Sequence, residues 1–158
     1  MDAKHTEPLD AATLVQFTGT AQYWRVVRQF VITDGVKYLA ETAACFWLID
    51  AAISHLLEIG TADWFVLVRT EVSGSSAVMI YEDGNGLEHA RQEIAHTDLQ
   101  LPSVDLYAVW DSQRWVIMLP SEYCAWTRRT RPFLSKTLLL LAWAASTSLP
   151  LRRQLCKA

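Results

Sequence analysis

Thr33-Asp34-Gly35-Val36-Lys37-Tyr38-Leu39-Ala40-Glu41, continuing through Cys45-Phe46-Trp47-Leu48-Ile49-Asp50 to Leu57, is the stretch whose reading decides the fold. At about 100° per residue, Val36, Leu39, Ala40 and Ala43 share one side of a helix and Lys37 and Glu41 lie opposite. Asp34 stands where an N-cap belongs, since its carboxylate can accept an orphan N–H and suits the positive end of the helix. Further on, Phe46, Ile49, Ile53, Leu56 and Leu57 make an apolar stripe that Leu48, Ala52 and Ile59 broaden. His55 and Glu58 occupy the narrower polar arc. A single helix over the whole stretch would be unusually long, so the reading is two helices broken near Thr42–Ala44. Stripes this wide need a covering layer, and the rest of the chain must supply it.

Upstream, residues 9–17 read as a short helix and Phe17-Thr18-Gly19-Thr20 as a turn. Tyr23, Trp24 and Val27 then suggest a second short helical piece that also carries Arg25 and Arg28, with Phe30-Val31-Ile32 as an apolar connector. Downstream the period changes to alternation. Trp64–Thr70 and Ala77–Glu82 read as strands joined at Ser73-Gly74-Ser75, and Asp83-Gly84-Asn85-Gly86 as a tight hairpin turn. Leu87–Ala95 is a strand too polar for the middle of a sheet, and Val104–Trp110 with Trp115–Leu119 form a last hairpin. The expected fold is therefore α+β: N-terminal helices on one face of a four- to five-stranded antiparallel meander.

The chain of 158 residues is 51% apolar, enough for one domain with a real core. Its net charge of −3 hides an asymmetry: residues 1–123 hold 7 of the Lys/Arg and all 17 Asp/Glu, whereas residues 124–158 hold 7 Lys/Arg and no acid. Two parts are expected, a domain over 1–123 and a basic, leucine-rich extension over 124–158 in which Leu138–Ala145 is a helix. Cys45, Cys124 and Cys156 are odd in number and far apart, the pattern of free thiols in a reducing cytosol. Met1–Pro8 carries acid and no apolar run, so no secretory signal is expected and the location is read as cytoplasmic. The uncharged run Thr137–Leu151 is shorter than the ~20 residues that cross a bilayer, so no membrane span is expected.

Several motifs taken together resemble a family. Phe17–Thr20, Thr33–Glu41, Trp47-Leu48-Ile49-Asp50, Glu82–Gly86 and Leu119-Pro120-Ser121-Glu122-Tyr123 stand in the order seen in an uncharacterised family of small bacterial, plasmid and phage proteins, over roughly residues 14–123. The resemblance implies a cytoplasmic protein that travels on mobile elements, and it carries over no catalytic residue.

Candidate chemistry is sparse. Asp50 lies at the margin of the apolar stripe, where a carboxylate calls for a partner such as Lys37, Arg25 or Arg28; structural pairing outweighs catalysis there. The histidines, His5, His55, His89 and His96, include no HxxxH pair, and no phosphate- or dinucleotide-binding glycine pattern occurs, so no metal and no cofactor are expected. Trp47 projects off the main stripe and is either covered by another element or part of a contact surface. The leading expectation is a non-enzymatic protein–protein interaction module, an accessory or anti-defence protein of a phage or plasmid, with Asp34, Lys37, Trp47 and Asp50 at the partner surface. Self-association of the chain is a further possibility. The alternative is a nucleic-acid-associated protein using Trp126, Arg128, Arg129 and Arg131, because arginines beside an aromatic can hold phosphates and stack on bases. The third is an enzyme built around Asp50.

Overall fold

The computed structural model describes residues 9–130. Along the chain run α1 (Ala11–Val15), β1 (Trp24–Val27), β2 (Phe30–Ile32), α2 (Asp34–Thr42), α3 (Phe46–Ile59), β3 (Phe65–Ser73), β4 (Ser76–Glu82), β5 (Glu88–Ile94), β6 (Ser103–Trp110), β7 (Trp115–Met118) and α4 (Pro120–Thr130). The strands form one seven-stranded sheet in the order β1-β2-β7-β6-β3-β4-β5. All pairs are antiparallel except β2 with β7, which is parallel. The class is α+β as expected, but the sheet has seven strands rather than four or five.

Two differences from the expected meander have physical causes. First, β6 pairs with β3 instead of β5, leaving β5 at the edge. Residues Glu88, His89, Arg91, Gln92 and Glu93 would have to be desolvated in an interior strand, and the edge leaves Glu88, His89, Arg91 and Glu93 exposed. The connection to β6 rounds the β3–β4 turn, held by Thr97 N–H to the Ser75 carbonyl (2.8 Å) and Val72 N–H to the Pro102 carbonyl (2.9 Å), and buries Leu99 and Leu101. Second, the segment read as a short helical piece and connector is the hairpin β1–β2. Phe30, Val31 and Ile32 are all buried, so β2 is covered on both faces, the situation of a parallel-paired strand.

The break between α2 and α3 falls where expected, at Thr42–Phe46, with Ala44 in the left-handed region at φ 51°. The N-cap of α2 is Thr33, however, and Asp34 is the first helical residue. Helix α3 buries Leu48, Ile49, Ala52, Ile53 and Leu56, whereas Phe46 and Leu57, expected in the stripe, remain 52% and 55% exposed. One face of the sheet, with Phe30, Ile32, Val68, Met79, Leu106 and Ile117, shares a core with α2 and α3. Each such fully buried side chain contributes about 1.5–3 kcal/mol.

Helices do not lie on one face only. On the reverse face, Val31, Phe65, Tyr107, Val109, Val116 and Met118 form a second core with Tyr123 of α4. Tyr123 meets Tyr107 and Phe65 edge-on, with ring centroids 5.4 and 5.8 Å apart. Helix α4 runs without interruption across the expected 123/124 boundary. The helix expected over Leu138–Ala145, and the uncharged run Thr137–Leu151, lie outside the described residues. Among the described residues no helix is long and apolar enough to cross a membrane. Cys45 is free and fully buried. Cys124 is disulfide-bonded, which corrects the free-thiol reading there.

Candidate functional site

The sequence Thr33-Asp34-Gly35 joins β2 to α2, and each residue is fixed by a distant segment. The Thr33 hydroxyl donates to Glu122 Oε2 (2.5 Å), and Gly35 N–H donates to Glu122 Oε1 (3.2 Å). Leu119 N–H completes the set on Glu122 Oε2 at 3.0 Å. Glu122, 1% exposed, therefore satisfies orphan donors at the starts of both α2 and α4. Burial raises its carboxyl above the ordinary range, opposed by the bonds from Thr33, Leu119 and Gly35. A Cβ on Gly35 would stand 2.6 Å from Leu119 Cδ1 and 2.9 Å from Glu122 Oε2, so only glycine admits so close a carboxylate.

Asp34 turns the other way. Its Oδ2 accepts from Ala21 N–H (2.8 Å), Gln22 N–H (3.2 Å) and the Thr20 hydroxyl (3.0 Å), and its Oδ1 from the Trp24 indole (2.8 Å). The indole bond leads in holding this carboxyl below the ordinary range; partial burial opposes it and the Ala21, Gln22 and Thr20 bonds assist. Lys37 Nζ sits 3.4 Å from the centroid of the Trp24 ring and 3.6 Å from Glu41. Gly19 completes the arrangement: its added Cβ would be 3.2 Å from Ala125 Cβ of α4. Three separate motifs, Phe17–Thr20, Thr33–Glu41 and Leu119–Tyr123, thus converge on one clasp between β2, α2 and α4.

The four residues expected at a partner surface divide into two pairs. Asp34 and Lys37 are brought together through Trp24: Asp34 is occupied by Thr20, Ala21, Gln22 and Trp24, and Lys37 lies between the Trp24 ring and exposed Glu41. Trp47 and Asp50 lie on α3, Trp47 half-buried against the main core and Asp50 exposed. Exposure removes the need for a buried partner that the margin position had suggested for Asp50. Asp50 lies one turn beyond exposed Phe46, and Leu57 follows on the same side. Of the tail residues, Trp126 stacks on Tyr123 (6.3 Å, 18°) and Arg128 is exposed. The Arg129 side chain and all of Arg131 lie outside the described residues.

A shallow cavity of about 360 Å³ between α3 and β5 is lined by Glu58, Ile59, Ala62, Asp63, His89 and Ala90. His89 Nε2 lies 3.1 Å from Asp63 Oδ2, and nearby His55 Nε2 lies 3.1 Å from Gln92 Oε1. No hydroxyl or thiol nucleophile lines this cavity, and among the described residues no cluster of three or more His, Cys, Asp or Glu could hold a metal ion.

A family model matches residues 9–123, well over half of the sequence. The chain belongs to DUF6876, a family of unknown function. No curated protein and no solved structure matches it. The span of the DUF6876 model ends inside α4 at Tyr123. It therefore takes in Glu122 and the three motifs that meet at the clasp, and leaves out Ala125, Trp126 and Arg128. Glu122 and Thr33 were not singled out as site residues from sequence, although both lie inside motifs that carry the DUF6876 resemblance.

Proposed function

We propose that this DUF6876 chain is a non-enzymatic protein–protein interaction module whose contact surface is the outer side of α3. The carrying observation is that Phe46 and Leu57, 52% and 55% exposed, are in phase on that helix with Asp50 between them. Eleven residues apart, the two side chains differ by only about 20° around the axis. Large apolar groups aligned on one exposed side, with half-buried Trp47 beside them, make the apolar centre of a docking surface, and Asp50 supplies a charge that sets register. Asp34 and Lys37 act by holding the fold behind that surface rather than by touching a partner.

The test is affinity capture from bacterial lysate with the wild type and with Phe46→Ser, Leu57→Ser and Trp47→Ala variants of unchanged circular dichroism. A protein retained by the wild type and lost by the variants is the expected result. Equal recovery by all four overturns the α3 surface. The narrower form of the proposal, an accessory or anti-defence protein of a mobile element, rests on the family resemblance alone. An enzyme around Asp50 gains no support, because Asp50 lines neither the α3–β5 cavity nor the pocket beside β1 and β2.

A further inference from the structure

The pocket beside β1 and β2 has a different character. It measures about 390 Å³ and is lined by Arg25, Arg28, Gln29, Val31, Gln113 and Arg114. Three arginines line it in a protein body whose first 123 residues carry only 7 Lys/Arg against 17 Asp/Glu.

Pairing separates these arginines from the other cations. Ahead of α4, the described cations Lys37, Arg69, Arg91 and Arg114 each have a carboxylate partner within 4.0 Å. Arg25 and Arg28 have none among the described residues, although acids outnumber bases, and both side chains are exposed beside the same pocket. Arg114 is held on one side only, by Nε to Asp111 Oδ2 at 3.1 Å, and its guanidinium lies 5.3 Å from the Tyr23 ring centroid. That fixes its plane and leaves its remaining N–H groups to donate elsewhere.

The turns that carry these residues are braced through the backbone. The turn between β1 and β2 carries Arg28 in the left-handed region at φ 43°, a conformation that glycine or asparagine adopts at lower cost. The turn between β6 and β7 is braced by Asp111 Oδ1, which accepts from Gln113 N–H (3.0 Å) and Arg114 N–H (2.9 Å). A Trp115 N–H bond to the Gln29 carbonyl (2.8 Å) ties the two turns together. The two turns that carry Arg28 and Arg114 are thus held side by side on a braced backbone.

We propose that this pocket binds a phosphate group, carried either on a small molecule or on a nucleic-acid backbone. Three arginines line the one pocket, and guanidinium forks match the charge and the oxygen spacing of a phosphate, whereas a single carboxylate would occupy only one fork. Gln29 and Gln113 also line the pocket, and a glutamine amide is a neutral donor. This site is separate from α3 and does not depend on the docking surface proposed there.

The experiment uses the full chain and two probes. Inorganic phosphate is followed by phosphorus NMR line broadening, and a fluorescent oligothymidylate by anisotropy across a salt series. The comparison is with the double variant Arg25→Gln/Arg28→Asn, in which asparagine suits the left-handed φ, and with Phe46→Ser as a control. Saturable phosphate binding that weakens about tenfold or more in the double variant, and is unchanged in Phe46→Ser, is the expected result. If the oligonucleotide also binds through the same arginines, with affinity falling steeply as salt rises, the phosphate belongs to a nucleic-acid backbone. If only inorganic phosphate binds, it belongs to a small molecule. Absence of saturable binding of either probe by the wild type, or equal binding by the double variant, overturns the proposal.

Discussion

Two carboxylates that meet the start of α2, Asp34 as its first residue and Glu122 reaching in from α4, have opposite electrostatic fates, and stability against pH should show it. Asp34, held low by the Trp24 indole, contributes stability that is present above its unfolded value and lost as pH falls through the lowered folded value. Glu122, raised by burial, contributes stability that is full below its unfolded value and lost as pH rises through the raised folded value. Urea unfolding from about pH 4 to 8 should therefore give a flatter upper limb in Glu122→Gln than in the wild type. Glu122→Ala strands the Gly35 and Leu119 N–H groups in a dry site and should cost about 2–4 kcal/mol in the same assay. Gly35→Ala gains helix propensity, yet its methyl would meet Leu119 and the Glu122 carboxylate, and a net loss of about 1–3 kcal/mol is expected. The Cys45 thiol, fully buried and pushed up to about 11, should resist a thiol-specific reagent until the protein unfolds, which a titration with and without urea would show. Glu122 was hidden from a reading of the letters because the Gly35 donor it satisfies lies 87 positions away; a buried acid in a turn motif looks like any solvated glutamate until the fold brings its partners to it.

At the scale of elements, what was legible was periodic. The helices α2 and α3 carry enough turns for a stripe to emerge, and their break was placed by length alone. Ala44 at φ 51° is the hinge of that break, and Ala44→Gly should stabilise by about 0.5–1 kcal/mol in equilibrium unfolding, because glycine removes the left-handed penalty. Strands β3 and β4 alternate clearly over nine and seven residues, and the Asp83 turn that follows β4 was read from its glycines and asparagine. The hairpin β1–β2 was not legible, since strands of four and three residues are too short to show alternation. Tyr23, Trp24 and Val27 happen to fall at helical spacing, and the antiparallel pairing of β1 with β2 settles Trp24 and Val27 as extended, with Tyr23 just ahead of the strand. The width of the α3 stripe misled in the opposite direction: eight apolar positions were available, but the sheet covers only part of that arc and leaves Phe46 and Leu57 outside.

For the molecule as a whole, the sheet is covered by α2 and α3 on one face and by α4 on the other, so residues around 120 are part of the packed body. A chain ending at Leu119 would lack Glu122 and Tyr123 and should lose cooperative thermal unfolding, measured by circular dichroism at increasing temperature. The charge asymmetry seen in the sequence has a counterpart within the acidic part itself: among the described residues ahead of α4, the two cations without acid partners are not scattered but lie together in one pocket, beside Arg114. Their gathering depends on two turns far apart in the chain, which is why composition could locate the basic tail and not this pocket.

The parallel ladder of β2 on β7 also sets a timetable for biosynthesis. Thr33 must wait for Ile117, 84 residues later, before the seam between them can close. At ribosomal speeds of roughly 5–20 residues per second the emerging Phe30-Val31-Ile32 segment stays unsatisfied for on the order of 10 s. For that interval the nascent polypeptide carries an open strand edge at Phe30-Val31-Ile32, which closes only once β7 has been made.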